Sequence, residues 1–358
     1  MEWTRGRILG RGSTATVCAA VCHNSNETFA VKSSELHRSE FLQREAKILS
    51  SLNSPYVIGY RGSETKIESN GVVTYNLLME YAPYGTLTDA AEKNGGRLEE
   101  AMIVKYTREI LRGLEYIHSK GIAHCDVKGS NVVVAEKGEA KIADFGCAKR
   151  VGSEEVTGTP AFMAPEVARG EKQGSESDIW AVGCTVIEMA TGSPPWTEAR
   201  EDPVSVLYRV GYSVETPELP CSLTEEAKDF LKMCFEIEAK ERWTATQLLN
   251  HPFLITKPDI EPVMVSGLVS SSPTSVTDQT FWRSLEEEVV EEEEEEAAEL
   301  QDESRDLDRL NLWACHSERI GRLRCAGGLD GPRWDVEGGD WITVRVSCEG
   351  TMISRSLT

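Results

Sequence analysis

The sequence predicts an α+β chain of two lobes, β-rich first and α-helical second, followed by an acidic, largely disordered C-terminal tail. Three observations predict it. Residues 3 to about 81 alternate apolar and polar positions in short runs, with one helical interruption. From Gly85 onward apolar residues recur at helical spacing, and beyond residue 254 the composition turns to serine and carboxylate. With 358 residues, 40% of them hydrophobic, the chain can bury one large two-lobed core and still carry a tail.

In the first lobe, Arg7-Ile8-Leu9, Ala15 to Ala19 and Thr28 to Lys32 read as antiparallel strands. The interruption is a predicted helix from Ser39 to Leu52, in which Phe41, Ala46, Ile48, Leu49 and Leu52 share a buried face. Pro83 and Gly85 mark a hinge between a first lobe over 3–81 and a second over 85–254. In the second lobe Ile103, Tyr106, Ile110, Leu111, Leu114 and Ile117 form one apolar stripe. The folded region, 3–254, is expected to end at His251-Pro252-Phe253-Leu254.

The net charge of -21 and a pI near 4.8 exclude the phosphate-driven attraction that nucleic acid or an anionic membrane requires. Much of that charge sits in 255–358, which carries 10 Lys and Arg against 23 Asp and Glu, whereas residues 1–254 carry 28 against 36. Ser266 to Ser275 is serine-rich around Pro273, Glu286 to Glu303 is dominated by carboxylates, and Glu291 to Glu296 repels itself. The stretch from Arg333-Trp334-Asp335 through Trp341 to Val346 predicts a short strand or a linear motif that folds on a partner. Ten cysteines without zinc spacing, and no signal peptide or long apolar run, predict reduced thiols in a cytoplasmic or nuclear protein without membrane insertion.

The chemistry is written in a series of motifs. Gly10 and Gly12 lie between two strands, where the absence of Cβ lets backbone N–H groups approach phosphates; Ala15 stands where a third glycine is usual. Ala30-Val31-Lys32 places a lysine on an apolar strand, which needs a partner. Glu45 on the following helix supplies one while Lys32 holds the α- and β-phosphates of ATP, with Glu40 as a competing partner. In His124-Cys125-Asp126-Val127-Lys128-Gly129-Ser130-Asn131, Asp126 is the candidate base for a substrate hydroxyl and Lys128 neutralises the γ-phosphate. Asn131 and Asp144, the latter in Asp144-Phe145-Gly146, hold Mg²⁺. Val17, Ala30, Met79, Glu80 and Ala82 complete the candidate nucleotide pocket, and their resemblance to protein kinase residues implies Met79 at its back and the backbone of Glu80 and Ala82 against the adenine edge. His124 and Phe145 read as packing behind the site, and Cys147 as an inert small residue beside the phosphates.

With these motifs in register, residues 3–254 resemble a eukaryotic Ser/Thr protein kinase domain. Gly158-Thr159-Pro160-Ala161-Phe162-Met163-Ala164-Pro165-Glu166-Val167 is similar to the MEKK type of MAP kinase kinase kinase, and the short tail looks most like plant members. The resemblance implies a bilobal kinase fold, with Lys128 typical of Ser/Thr specificity, Thr159 bonded to Asp126 and Lys128, Asp178 anchoring the catalytic loop and Arg242 paired with Glu166. It implies ATP and Mg²⁺ as cofactors, the activation loop of a MAP kinase kinase as substrate, and a stress or hormone cascade such as that of abscisic acid. Ser272-Pro273 would suit MAP kinase feedback and Arg319 to Arg324 docking, against the plainer reading of a common dipeptide and a charge patch. The acidic tail would cover the basic substrate groove or control turnover.

Cys125 departs from the pattern, standing where arginine is usual. It cannot pair with an activation-loop phosphate, so phosphorylation of Ser153, Thr157 or Thr159 is expected to matter less; Glu154-Glu155 supplies standing charge or is simply a solvated turn. The change invites a pseudokinase scaffold as the alternative, which the presence of Lys32, Asp126, Asn131 and Asp144 disfavours. A small-molecule kinase is disfavoured by the long segment from Gly146 to Ala164.

Overall fold

The structure, a computed structural model, describes residues 2–12, 14–68, 70–153, 155–196, 203–213 and 215–255, and the backbone of 334–335 and 343–345. Glu154, Ser272, the acidic run Glu286 to Glu303 and Arg319 to Arg324 lie outside the described residues. The first lobe is a five-stranded antiparallel sheet of β1 (Trp3–Arg11), β2 (Thr16–Cys22), β3 (Thr28–Glu35), β4 (Tyr60–Ile67) and β5 (Val73–Met79), in spatial order β1-β2-β3-β5-β4. Its register sets Lys32 opposite Val17 on one side and Leu77 on the other, and Ala30 opposite Met79. Alternation sends Trp3, Phe29 and Val31 to one face, and Leu9, Val17 and Ala30 to the face over the cleft.

Helix α1 (Glu40–Leu49) packs beside this sheet, but its buried face differs from expectation. Leu42, Glu45, Ala46 and Leu49 point inward, at i, i+3, i+4 and i+7, while Phe41 is 47% exposed and lies against the guanidinium of Arg44. Ala46, Leu49 and Leu52 are buried as expected and Ile48 packs against the core, but Phe41 gives its place to Leu42, and the carboxylate of Glu45 takes a core position that an apolar pattern does not mark. Leu52 is buried beyond the helix end rather than within it.

The link after β5 carries Gly85 at φ +82° and enters α2 (Leu87–Lys93) through a reciprocal cap: Asp89 N–H donates to Thr86 Oγ1 at 3.1 Å and Thr86 N–H to Asp89 Oδ2 at 2.7 Å. The second lobe is built on α3 (Glu100–Ser119), whose expected stripe is buried throughout. Gly113 in α3 lets the helix approach closely, since a Cβ there would lie 2.9 Å from Tyr56 O and 2.7 Å from Ile142. Short strands follow: β6 (Ile122–Ala123), β7 (Val132–Val134), β8 (Ala140–Ile142), β9 (Lys149–Arg150) and β10 (Glu155–Val156). β7 pairs with β8, and β6 with β9. Then come α4 (Pro165–Ala168), α5 (Ser175–Thr191), α6 (Pro203–Tyr212), α7 (Glu225–Cys234), α8 (Ala245–Leu249) and α9 (Pro252–Ile255).

Two features of this frame bear on the site. Arg242 is buried with its guanidinium on both oxygens of Glu166, at 2.8 and 3.0 Å, and on the carbonyls of Glu176 and Glu236, over the ring of Trp180. β11 (Trp334–Asp335) and β12 (Thr343–Arg345), from the tail segment expected to be a strand or motif, form a three-stranded sheet with β10, with Glu155 opposite Arg345 and Val156 opposite Val344.

Removing one partner of the buried pair strands a charge. Arg242→Ala is expected to cost about 3–5 kcal/mol and to lower the urea midpoint, while Phe41→Ala changes stability by under about 0.5 kcal/mol. Matching midpoints for the two variants, followed by tryptophan fluorescence, would contradict this assignment.

Candidate active site

The two lobes flank an open cleft. Leu9, Val17 and Ala30 form its roof, Met79, Glu80, Tyr81 and Ala82 its back edge, Ile58 and Val133 further apolar walls, and Ala143 and Asp144 its inner end. Val17, Ala30, Met79, Glu80 and Ala82 therefore stand together as expected. Leu9, Ile58, Val133 and Ala143 were missed, because an apolar residue facing a cleft looks in sequence like one facing a core. Gly10 and Gly12 continue from β1 into the β1–β2 turn above the cleft, where Gly12 N–H donates to Ala15 O at 2.8 Å.

Glu80 contributes more than backbone. Its carboxylate accepts from Lys141 Nζ of β8 at 2.6 and 2.8 Å and from Gly59 N–H at 3.0 Å, tying the link between lobes to both. At the inner end, Lys32 Nζ bonds Glu45 Oε2 at 2.8 Å and Asp144 Oδ1 at 2.9 Å; Glu40 instead pairs with Arg44. Burial would strip the Lys32 proton, but the carboxylates of Asp144 and Glu45 outweigh it and hold the ammonium well above the ordinary lysine range. Burial also pushes the Glu45 carboxyl up, whereas at Asp144 the attraction of Lys32 overcomes burial and keeps it below its usual range. Asp144 is thus the firm anion of the cluster.

The catalytic-loop candidate is suspended from Asp178 on α5. Its carboxylate accepts from His124 N–H and Cys125 N–H, both at 2.8 Å, and contacts His118 Nε2 at 2.8 Å, so two backbone amides and one imidazole hold it. A second tether, unseen in sequence, is Glu188, which accepts from Gly129 N–H at 2.8 Å and Thr88 at 3.1 Å. His124 reaches Ala143 O at 3.0 Å and packs edge-on against Phe145. Cys125 and Asp144 both sit at positive φ, 67° and 57°, a conformation costing about 1–3 kcal/mol each in a residue with Cβ.

Asp126 is the hub. Oδ1 accepts from Thr159 N–H at 3.0 Å and Thr159 Oγ1 at 2.7 Å; Oδ2 accepts from Asn131 Nδ2 at 2.8 Å and meets Lys128 Nζ at 3.1 Å. Lys128 also donates to Thr159 Oγ1 at 2.6 Å, and its neighbouring Asp126 raises its pKa despite burial. Four hydrogen-bond donors thus converge on one carboxylate beside the cleft and fix its orientation.

Asn131 Oδ1 and Asp144 Oδ2 are buried oxygens without a hydrogen-bond partner among the described residues. Two buried acceptor oxygens without partners, one of them on a residue that lines the cleft, suit a hard divalent cation, which would take its remaining ligands from phosphate and water. No cluster of three or more His, Cys, Asp or Glu among the described residues would cage a metal unaided. Cys147, half-buried nearby, has its thiol pushed far up by burial and the adjacent carboxylates, and so stays protonated.

The segment after β10 approaches Asp126 through Gly158, at φ +120°, where a Cβ would lie 2.3 Å from Cys125 O. Gly158→Ala is expected to unseat Thr159 and to speed hydrogen exchange at the Thr157 and Thr159 amides by about tenfold or more. Unchanged protection would show that the segment tolerates the Cβ.

The model of the protein kinase domain matches residues 3–254. The chain is 80% identical over 361 aligned positions to mitogen-activated protein kinase kinase kinase 17 of Arabidopsis thaliana, covering 99% of this chain and 96% of that protein. It is 68% identical to kinase kinase kinase 18 of the same plant, over 96% and 99%, and 37% identical to kinase kinase kinase 20, over 96% and 100%.

Proposed function

The chain belongs to the protein kinase family and is a serine/threonine protein kinase of the plant MEKK-like group of MAP kinase kinase kinases, a premise from which we propose its chemistry, substrate and setting. Its substrate is the activation loop of a MAP kinase kinase, phosphorylated on Ser or Thr. The observation that carries this reading is the convergence of Thr159, Asn131 and Lys128 on Asp126 beside the Lys32–Glu45–Asp144 cluster.

ATP enters with its adenine edge against the backbone of Glu80 and Ala82, Met79 behind it, Val17 and Ala30 above, and its phosphates under Gly10 and Gly12. Lys32, kept charged and held by Glu45, neutralises the α- and β-phosphates. Asp126 accepts the substrate hydroxyl's proton, and Lys128 offsets charge on the transferred phosphoryl group. Asn131 Oδ1 and Asp144 Oδ2 are the protein ligands for a divalent cation, proposed to be Mg²⁺, which when bound neutralises phosphate charge. A pseudokinase scaffold is not favoured, because none of these groups is missing or displaced.

The finer setting rests on resemblance: a stress or hormone cascade, abscisic acid included, in cytoplasm or nucleus, with MAP kinase feedback at Ser272. Among the described residues no helix is long and apolar enough to cross a membrane.

Two experiments test the reading. Asp126→Asn is expected to lower phosphate transfer to a panel of MAP kinase kinases by about 10³-fold or more, the panel being run with and without residues 255–358. Phosphatase treatment of the wild-type kinase should leave most of its activity. Near-total loss would mean that Cys125 does not release the enzyme from activation-loop phosphorylation.

A further inference from the structure

Gln173, between α4 and α5, is 4% exposed and uses its whole hydrogen-bonding capacity. Its Oε1 accepts from Thr157 N–H at 3.1 Å and Lys149 Nζ at 2.9 Å. Its Nε2 donates to Thr157 O at 2.8 Å and, more weakly, to Cys125 O at 3.5 Å. Two donors on one side and two carbonyls on the other fix the orientation of the amide, because turning it over would set NH₂ against N–H and oxygen against oxygen. The amide grips both the N–H and the C=O of Thr157, as a neighbouring strand would.

The position of that grip gives it meaning. Thr157 is two residues before Thr159, whose N–H and hydroxyl orient Asp126, and Gly158 between them passes against Cys125 O. Cys125 has no cation to offer the segment, and Lys149, buried, is spent on Gln173 and Glu155 O. We propose that Gln173 is a positioning residue for phosphoryl transfer: a neutral amide that seats the activation segment on the catalytic loop, so that Thr159 reaches Asp126 and Lys128 without a phosphate. Thr157 fits this role, since its hydroxyl is already engaged, donating to Cys147 O at 3.2 Å.

The chemistry demands glutamine in particular. A glutamate would keep the bonds from Lys149 and Thr157 N–H but turn its second oxygen on two carbonyls, and a leucine would remove every one of these bonds, leaving Lys149 with Glu155 O alone. The proposal rests on the kinase reading above, and the experiment separates the two. Wild type, Gln173→Glu, Gln173→Leu and, as control, the exposed Lys172→Ala are assayed on a generic basic protein, each also in a Thr159→Val background. Expected is a fall in kcat of about 30- to 100-fold for both Gln173 variants, with KM for ATP within about twofold and the ATP-induced rise in Tm retained. In the Thr159→Val background the same changes should cost under about threefold further, since the effect runs through Thr159.

Wild-type kcat in both variants, or the full loss repeated in the Thr159→Val background, overturns the positioning role. Loss of the ATP-induced Tm shift in both variants also overturns it, marking a residue that merely maintains the fold. A wild-type protein without turnover removes the kinase reading, and the proposal with it.

Discussion

The ammonium of Lys32 is buried between the carboxylates of Glu45 and Asp144, and each of the three charges would be prohibitively costly there without the others. They come from a strand of the sheet, the helix beside it and the start of the segment that leads to the substrate. Because none can leave the cluster without stranding its partners, the arrangement of both lobes around the cleft is constrained by this one meeting of charges. The sheet register that faces Lys32 inward, the phase of α1 that buries Glu45 and the left-handed backbone of Asp144 all serve it.

The catalytic loop and the activation segment are held on a different principle. Their anchors are carboxylates and amides that accept from backbone N–H groups: Asp178 for His124 and Cys125, Glu188 for Gly129, Gln173 for Thr157. Each of these bonds joins a side chain to a backbone group of the loop or segment, so the seating of both around Asp126 depends on Asp178, Glu188 and Gln173 as well as on the side chains that meet Asp126 itself. The strain at Cys125 is held by the bond of its N–H to Asp178, and that at Asp144 by its bonds to Lys32 Nζ and Gly146 N–H.

Much of this was legible in the sequence, and the limits are instructive. Residues with a chemical reason to be where they are, such as a lysine on an apolar strand or Asn131 five residues after Asp126, could be assigned at once, as could the long stripe of α3. The first turn of α1 could not, because Phe41 is exposed and Leu42 buried in its stead, and Glu45 occupies a core position. Glu188, Gln173 and the side-chain role of Glu80 were invisible for another reason. Each acts on the backbone of a residue far away in the chain, and a backbone partner leaves no mark in the sequence. The apolar lining from Leu9, Ile58 and Val133 was hidden by resembling the rest of the core.

The pairing of β12 with β10 binds the last part of the chain to the segment that carries Glu155 and Val156. So short a ladder offers only a few hydrogen bonds, each worth about 0.5–1.5 kcal/mol net. It adds little to the stability of either strand, and exchanging it for a competing strand of similar length would be close to neutral in free energy. A protein that captured the tail would free that edge, and one that docked on the edge would release the tail. The two events are thermodynamically linked, each favouring the other by the same free energy.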